Sequence, residues 1–287
     1  MSAFATAIAV EATQETGVYA ANLLQTWCIG AVPHGGYLLA IILNALETHS
    51  KQVHAKLDQP DPIQLGVHFI VKAQVGPARI LVKDIKTGRN YSNCNITFQQ
   101  KEQDGRWISL IHGFAIMGNL EREEGPSVLT TDRHADIPDR KDCKQLDPEY
   151  TEFRRVAKNF DYLLPTFPYD RATELNWLKF KDDAEMDLLA IGLISDLMTP
   201  LPLRVIENEK GWYPTLSLDL QFKQRPKKGG KWCYLQVQSE SLLNGRFDIT
   251  TRGYDEDKNL IMVSQHAALR VSAERNLKKR AERPANL

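Results

Sequence analysis

Two polar residues stand alone on apolar surfaces, and both are of types that accept or orient a proton. Asp196 lies near the end of the run Leu188 to Met198, which is apolar all round and therefore reads as a helix inside a core. Gln265 lies in the stretch Leu260 to Arg270, where Ile261, Val263, Ala267 and Leu269 share its face by the period of two. A carboxylate in such a helix is costly unless paired, neutralised or used, and a buried amide needs hydrogen-bond partners. Asp196 is the one carboxylate of the core helix, so each residue is a natural partner for the other. Such a pair is either a structural contact between helix and strand or an acid–base site. A frayed helix end that reaches water is the plain alternative for Asp196.

A third feature could serve the same chemistry. Val32-Pro33-His34-Gly35-Gly36-Tyr37 leads into the apolar run Leu38 to Leu46. First-turn N–H groups have no intrahelical partners and lie at the positive end of the helix dipole. Gly35 and Gly36 can therefore present donors to an oxygen that gains negative charge, although a tight strand-to-helix turn explains two glycines as well. His34 beside them is a candidate substrate contact or a turn hydrogen-bonding group. Metal chemistry has no such support. His49 and His54 follow a helix end without ligand partners at useful spacing, and Cys28, Cys94, Cys143 and Cys233 form no Cys-x-x-Cys pair. The cysteines read as free thiols of a reducing compartment.

The elements that position these residues repeat. Strand patterns at 65–72, 79–86, 91–100 and 107–117 follow the first apolar helix, with turns at Gly76-Pro77, Gly88-Arg89 and Asp104-Gly105. Strand patterns at 215–223, 232–240, 246–254 and 260–270 follow the second, with turns at Gly229-Gly230, Asn244-Gly245 and Asp255 to Asp257. The chain is a tandem repeat of one helix-plus-antiparallel-sheet unit, an α+β double hot dog. The units span 1–118 and 150–273. A charged, proline-bearing linker covers 119–149, and a basic tail covers 274–287.

The order of several short pieces resembles the type II acyl-CoA thioesterases. The pieces are Trp27-Cys28-Ile29-Gly30, Pro33-His34-Gly35-Gly36, His68-Phe69, Lys86 to Ser92, Ser195-Asp196, Ser217-Leu218-Asp219 and Val263-Ser264-Gln265. The resemblance implies hydrolysis of an acyl-thioester to free acid and coenzyme A, with no metal and no cofactor. It further implies an Asp, a hydroxyl residue and a Gln that orient an attacking water, which fall on Asp196, Ser217 and Gln265. The family's hydroxyl residue is commonly Thr, which leaves Thr215 as the competitor. The residues themselves do not choose: Leu216, Leu218, Leu220 and Phe222 form one face of that strand, and Ser217 faces the other way with Thr215 and Asp219. Either that outer face lines the site or a bulge re-aims a side chain. Arg225, on a charged hairpin, and Arg89 are candidates for the phosphates of coenzyme A.

Composition sets the outer limits. Thirty-six basic residues balance thirty-six acidic ones, which gives no general pull toward nucleic acid. Neither apolar helix is long enough to span a membrane. There is no Gly-x-Ser-x-Gly elbow and no phosphate-binding Gly-rich loop with its Lys and Ser/Thr. The start, Met-Ser-Ala-Phe-Ala-Thr, lacks a signal-peptide pattern, and the terminal Ala285-Asn286-Leu287 resembles the Ser-Lys-Leu peroxisomal address. The expectation is a peroxisomal protein, with the cytoplasm as the alternative, acting on acyl-CoA or a carrier-bound acyl thioester and able to form a homo-oligomer. Two other readings stay open: a hydratase, dehydratase or polyketide-tailoring enzyme of the same fold, and a non-catalytic acyl-binding protein. Hydratases of this fold typically pair Asp with His on the helix, and the second helix carries no histidine.

Overall fold

The computed structural model describes residues 2–128, 136–147 and 152–273. The terminal tripeptide that resembles a peroxisomal address lies outside them. Alternating side chains build long strands. In Ser92–Lys101, Ser92, Cys94, Ile96, Phe98 and Gln100 are buried and the residues between them are half-buried. The first half supplies strands β1 (Val10–Ala12), β2 (Val18–Leu23), β3 (Asp61–Phe69), β4 (Gly76–Lys86), β5 (Ser92–Lys101) and β6 (Trp107–Gly118). The second half supplies β7 (Cys143–Leu146), β8 (Phe160–Pro165), β9 (Thr173–Phe180), β10 (Thr215–Phe222), β11 (Cys233–Gln238), β12 (Arg246–Tyr254) and β13 (Leu260–Leu269).

All of these join one fourteen-stranded sheet in the order β1-β2-β4-β5-β6-β3-β10-β13-β12-β11-β9-β8-β7, with Leu242–Leu243 pairing off the path. The halves meet where Gln64–His68 of β3 runs antiparallel to Ser217–Gln221 of β10. Asn244 and Gly245 take positive φ values of 51° and 77°, which closes the tight hairpin their sequence predicts. The fold is the expected double hot dog. The strand patterns of both halves appear in place, and the connector is more structured than expected. Cys143–Leu146 pairs with β8, and Ile137 packs against Trp177 and Tyr234.

The helices are α1 (Ala3–Ala7), α2 (Gly35–Val53), α3 (Leu188–Ile194) and α4 (Leu201–Val205). Helix α2 packs on β1, β3 and β4 of the sheet and on α3. Tyr37 to Leu43 of α2 are buried without a break, as a core helix requires. Close crossing of α2 and α3 depends on two glycines. A Cβ on Gly36 would lie 2.0 Å from the Leu193 carbonyl oxygen, and one on Gly192 would lie 2.2 Å from Leu43 Cδ1. The second helix is shorter than its apolar run. It is capped by the Asp187 side chain, which accepts from the Ala190 N–H, and it ends at Ile194. Asp196 therefore stands just beyond the helix, and its side chain is only 9% exposed, so the end does not fray into water.

Candidate active site

Asp196 points at the start of α2. Its Oδ2 accepts from the Gly36 N–H at 3.0 Å. A Cβ on Gly35 would come within 2.5 Å of that same oxygen, so the first glycine gives the carboxylate room and the second gives it a donor. The donor expected for a substrate oxyanion at Gly36 is thus already engaged by the acid. His34 occupies the N-cap position of α2, with its ring turned to Asp196 and not to the helix N–H groups. Its Nε2 lies 3.0 Å from the Asp196 carbonyl oxygen and 3.5 Å from Oδ2. The other carboxylate oxygen, Oδ1, receives the Thr215 hydroxyl at 3.4 Å and faces His266 Nδ1 at 3.5 Å.

The two strand residues reach Asp196 through register. Thr215 pairs with Ala268 while Ser217 pairs with Ala267, so Leu216 is an extra residue bulged out of the ladder. The bulge flips the alternation. Thr215 joins the inner face with Leu218 and Leu220, and Leu216 turns outward at 39% exposure. Ser217 sits on the outer face between His68 and Ala267. Thr215, not Ser217, is the hydroxyl beside the acid.

A corresponding correction applies to β13. Leu218 and Leu220 pair with His266 and Ser264, so the buried row of β13 is Met262, Ser264, His266 and Ala268. Gln265 pairs with Asp219 and Thr250 on the outer face, where it is exposed. There it lines a groove of about 630 Å³ with Gln64, His68, Ser217 and Asp219. Gln265 and Ser217 do not meet Asp196, and His266 takes the place expected of the amide. Val263, Ala267 and Leu269 make the outer row look apolar in sequence, which hid the inward histidine. The register against β10 is the signal that identifies it.

Electrostatics keep the acid ionised. Burial pushes the Asp196 carboxyl up, but His266, His34 and the Gly36 N–H outweigh it and hold the group below the usual carboxylate range. Burial also lowers His34, which favours the neutral ring. The carboxylate at Oδ1 favours the His266 tautomer with hydrogen on Nδ1, and Nε2 then accepts from the Ser264 hydroxyl at 3.0 Å. Carboxylate, imidazole and hydroxyl are connected as in a serine hydrolase, but Ser264 is 1% exposed and its Oγ lies 3.4 Å from the Ser195 carbonyl oxygen. Ser264 fixes the ring and is no nucleophile.

The remaining candidates sit elsewhere. The Arg225 guanidinium pairs with Asp61, at 2.8 Å from Nη2 to Oδ1, and with Glu121 at 3.2 Å. Arg89 is exposed at the β4–β5 turn, which Gln59 pins by donating to the carbonyls of Gly88 and Arg89. His49 and His54 have a partner that spacing did not reveal, since Asp84 of β4 accepts from both, at 3.3 and 2.7 Å. Among the described residues, no helix is long and apolar enough to cross a membrane.

Comparison with known proteins follows this division of the chain. Residues 23–118 match the acyl-CoA thioesterase N-terminal domain family, and residues 132–270 match the acyl-CoA thioesterase C-terminal domain family. The thioesterase-like protein TwmA of Talaromyces wortmannii is 24% identical, with 96% of each chain covered. A structure described as a thioesterase II from Thermobifida fusca superposes with a TM-score of 0.76 at 20% identity, covering 94% of this chain and 98% of that one. The dehydratase domain of RzxB from Pseudomonas fluorescens superposes with a TM-score of 0.56 at 10% identity, covering 90% of this chain and 96% of that one. The two structures share the fold.

Proposed function

The chain belongs to the acyl-CoA thioesterase family and is a thioester hydrolase; within that class we propose that Asp196 is the general base for direct attack of water on an acyl-CoA. The observation that carries this reading is the buried Asp196 carboxylate, anchored at Oδ2 by the Gly36 N–H and flanked at Oδ1 by Thr215 and His266. An anchored, ionised carboxylate has one oxygen fixed and the other available to a water. Thr215 and His266 define where that water sits. The water gives a proton to Asp196 and its oxygen bonds to the thioester carbon. The carbon–sulfur bond then breaks, and coenzyme A leaves as a thiolate that regains a proton. A thiolate leaves readily, so no strong general acid is needed. The half-buried Gly35 N–H, on the same first turn, is the donor proposed for the carbonyl oxygen.

One observation favours a second reading. His34 comes from the first half and Asp196 from the second, with 3.5 Å between Nε2 and Oδ2. An acid–base pair of this kind can also remove water from a 3-hydroxyacyl thioester. The absence of histidine from α3 does not exclude it, because two histidines reach Asp196 from other elements. The deciding experiment follows thiol release and enoyl-thioester absorbance from acyl-CoAs and 3-hydroxyacyl-CoAs of graded length, with wild type and Asp196→Asn. Thiol release by wild type alone supports hydrolysis at Asp196. Enoyl absorbance without thiol supports dehydration.

A further inference from the structure

A second buried polar cluster lies beside the segment that follows Asp196. A cavity of about 220 Å³ is lined by residues of β7, β8, β9, α4 and the segment Leu197–Thr199 that follows the acid. Its walls are chiefly apolar, among them Leu164, Leu175 and Met198. Arg204 of α4 enters this space with its side chain only 12% exposed, and none of its three guanidinium nitrogens has a hydrogen-bond partner. The nearest carboxylate is Glu174 on β9, and its Oε2 comes no closer than 3.9 Å to Arg204 Nε. Both Glu174 oxygens are already engaged, Oε2 by the Thr199 N–H at 2.8 Å and Oε1 by Asn176 Nδ2 at 3.2 Å. Asn176, itself 3% exposed, has its Oδ1 unpartnered.

A buried guanidinium without hydrogen bonds is costly, and a planar fork of donors matches a carboxylate. Shape and lining decide which anion. The planar guanidinium of Arg204 pairs two-pronged with a carboxylate, and the chiefly apolar walls suit a hydrocarbon tail better than the hydrated oxygens of a phosphate. Size limits the rest of the ligand. By proportion to a cavity of about 150 Å³ that holds benzene, the space takes roughly nine non-hydrogen atoms. We propose that this cavity is a binding site for a small apolar monocarboxylate of about six or seven carbons, with Arg204 as its anchor.

The site is separate from the reaction centre but shares its backbone. Arg154 donates to the Met198 carbonyl at 2.9 Å, and Glu174 holds the Thr199 N–H, so the segment after Asp196 is a wall of the cavity. Cleavage of a six- or seven-carbon acyl thioester would release an acid of the proposed ligand class. That link rests on the proposed hydrolysis, while binding at Arg204 requires no turnover.

The test is calorimetric titration of the full chain with hexanoate, hexan-1-ol and inorganic phosphate. Hexanoate is expected to bind saturably to wild type and equally to Asp196→Asn. Loss of charge-assisted hydrogen bonds in Arg204→Gln should weaken it by about tenfold or more. Hexan-1-ol and phosphate should bind at least about tenfold more weakly than hexanoate. Arg204→Lys keeps the cation and the stem, and is read if Arg204→Gln fails to fold; it too should bind hexanoate more weakly than wild type. No saturable hexanoate binding would overturn the proposal. So would undiminished binding by the folded Arg204 variant, equal binding of hexan-1-ol or phosphate, or loss of hexanoate binding in Asp196→Asn, which would place the acid at the reaction centre.

Discussion

The Gly36 N–H donates to Asp196 Oδ2 across 160 residues of sequence, at 3.0 Å. The contact ties the start of one half's helix to the acid of the other half. It also explains how a carboxylate in an apolar core remains charged: the helix start supplies a donor and the positive end of a dipole.

Gly35→Ala is the sharpest probe of that contact. Its Cβ would fall 2.5 Å from Asp196 Oδ2, so the carboxylate must move. We expect thioester hydrolysis to fall by about a hundredfold, with a stability loss of roughly 1–3 kcal/mol from overpacking. Steady-state kinetics and chemical denaturation check both. Gly36→Ala should be worse for stability, because its Cβ would meet the backbone oxygen of Leu193 at 2.0 Å.

Asp196→Asn should lower kcat by about 10²–10⁴ if the carboxylate is the base, while circular dichroism remains that of wild type. A variant that retains near-wild-type turnover would remove Asp196 from the mechanism.

The two faces of β13 separate function from surface. His266→Asn should cut hydrolysis at least about tenfold, because Nδ1 faces Asp196 Oδ1 at 3.5 Å. Gln265→Ala, on the outer face, should leave kcat/KM within about twofold and stability within roughly 0.5 kcal/mol. Equal losses in both would mean that the outer groove takes part in the reaction.

The bulge in β10 gives a parallel pair. Thr215→Val removes a hydroxyl that donates to Asp196 Oδ1 and should slow turnover, whereas Ser217→Ala should not. If Ser217→Ala is the slower enzyme, the water is held from the outer face of the sheet.

Stability should fall in two stages as pH drops. The folded-state values of Asp196 and Asp84 lie below the ordinary 3.8, and that of His34 lies below 6.5. For each group the folded state binds protons less readily than the unfolded chain. Its contribution is therefore complete above the unfolded value and is lost as pH falls toward the folded one. Thermal unfolding should weaken first below about pH 6.5 and again below about pH 4. His34→Gln should flatten the upper stage, and Asp84→Asn part of the lower. Buried Glu174 and Asp187, held above the usual carboxylate range, act in the opposite direction, so melting temperatures of wild type and His34→Gln that shift in parallel between pH 7 and pH 5 would contradict the His34 assignment.

Much of this architecture is legible in the chain. The apolar runs at Leu38–Leu46 and Leu188–Met198, each followed by four strand patterns, predict two helices on one antiparallel sheet. Asp196 and Gly35-Gly36 stand out because they break local rules, and the structure brings them together. Thr215 and His266 do not stand out. Their facing depends on one extra residue in β10 and on which row of β13 pairs with Leu218. A single-residue slip exchanges every inward side chain for an outward one, and polarity alone does not record it. His49, His54 and Asp84 escaped for a different reason: their proximity exists only after β4 docks on α2.

The continuous ladder between β3 and β10 has a consequence for inheritance. Two separate subunits of identical sequence would carry any change at both copies of a site. Here one covalent chain holds both units, so each can specialise alone. The first helix keeps the glycine entrance at Gly35-Gly36, where the second begins with Leu188-Leu189. The second half keeps the acid, the bulged threonine and the inward histidine. A single composite site results, and the seam formed by Gln64–His68 and Ser217–Gln221 carries one ladder across both halves.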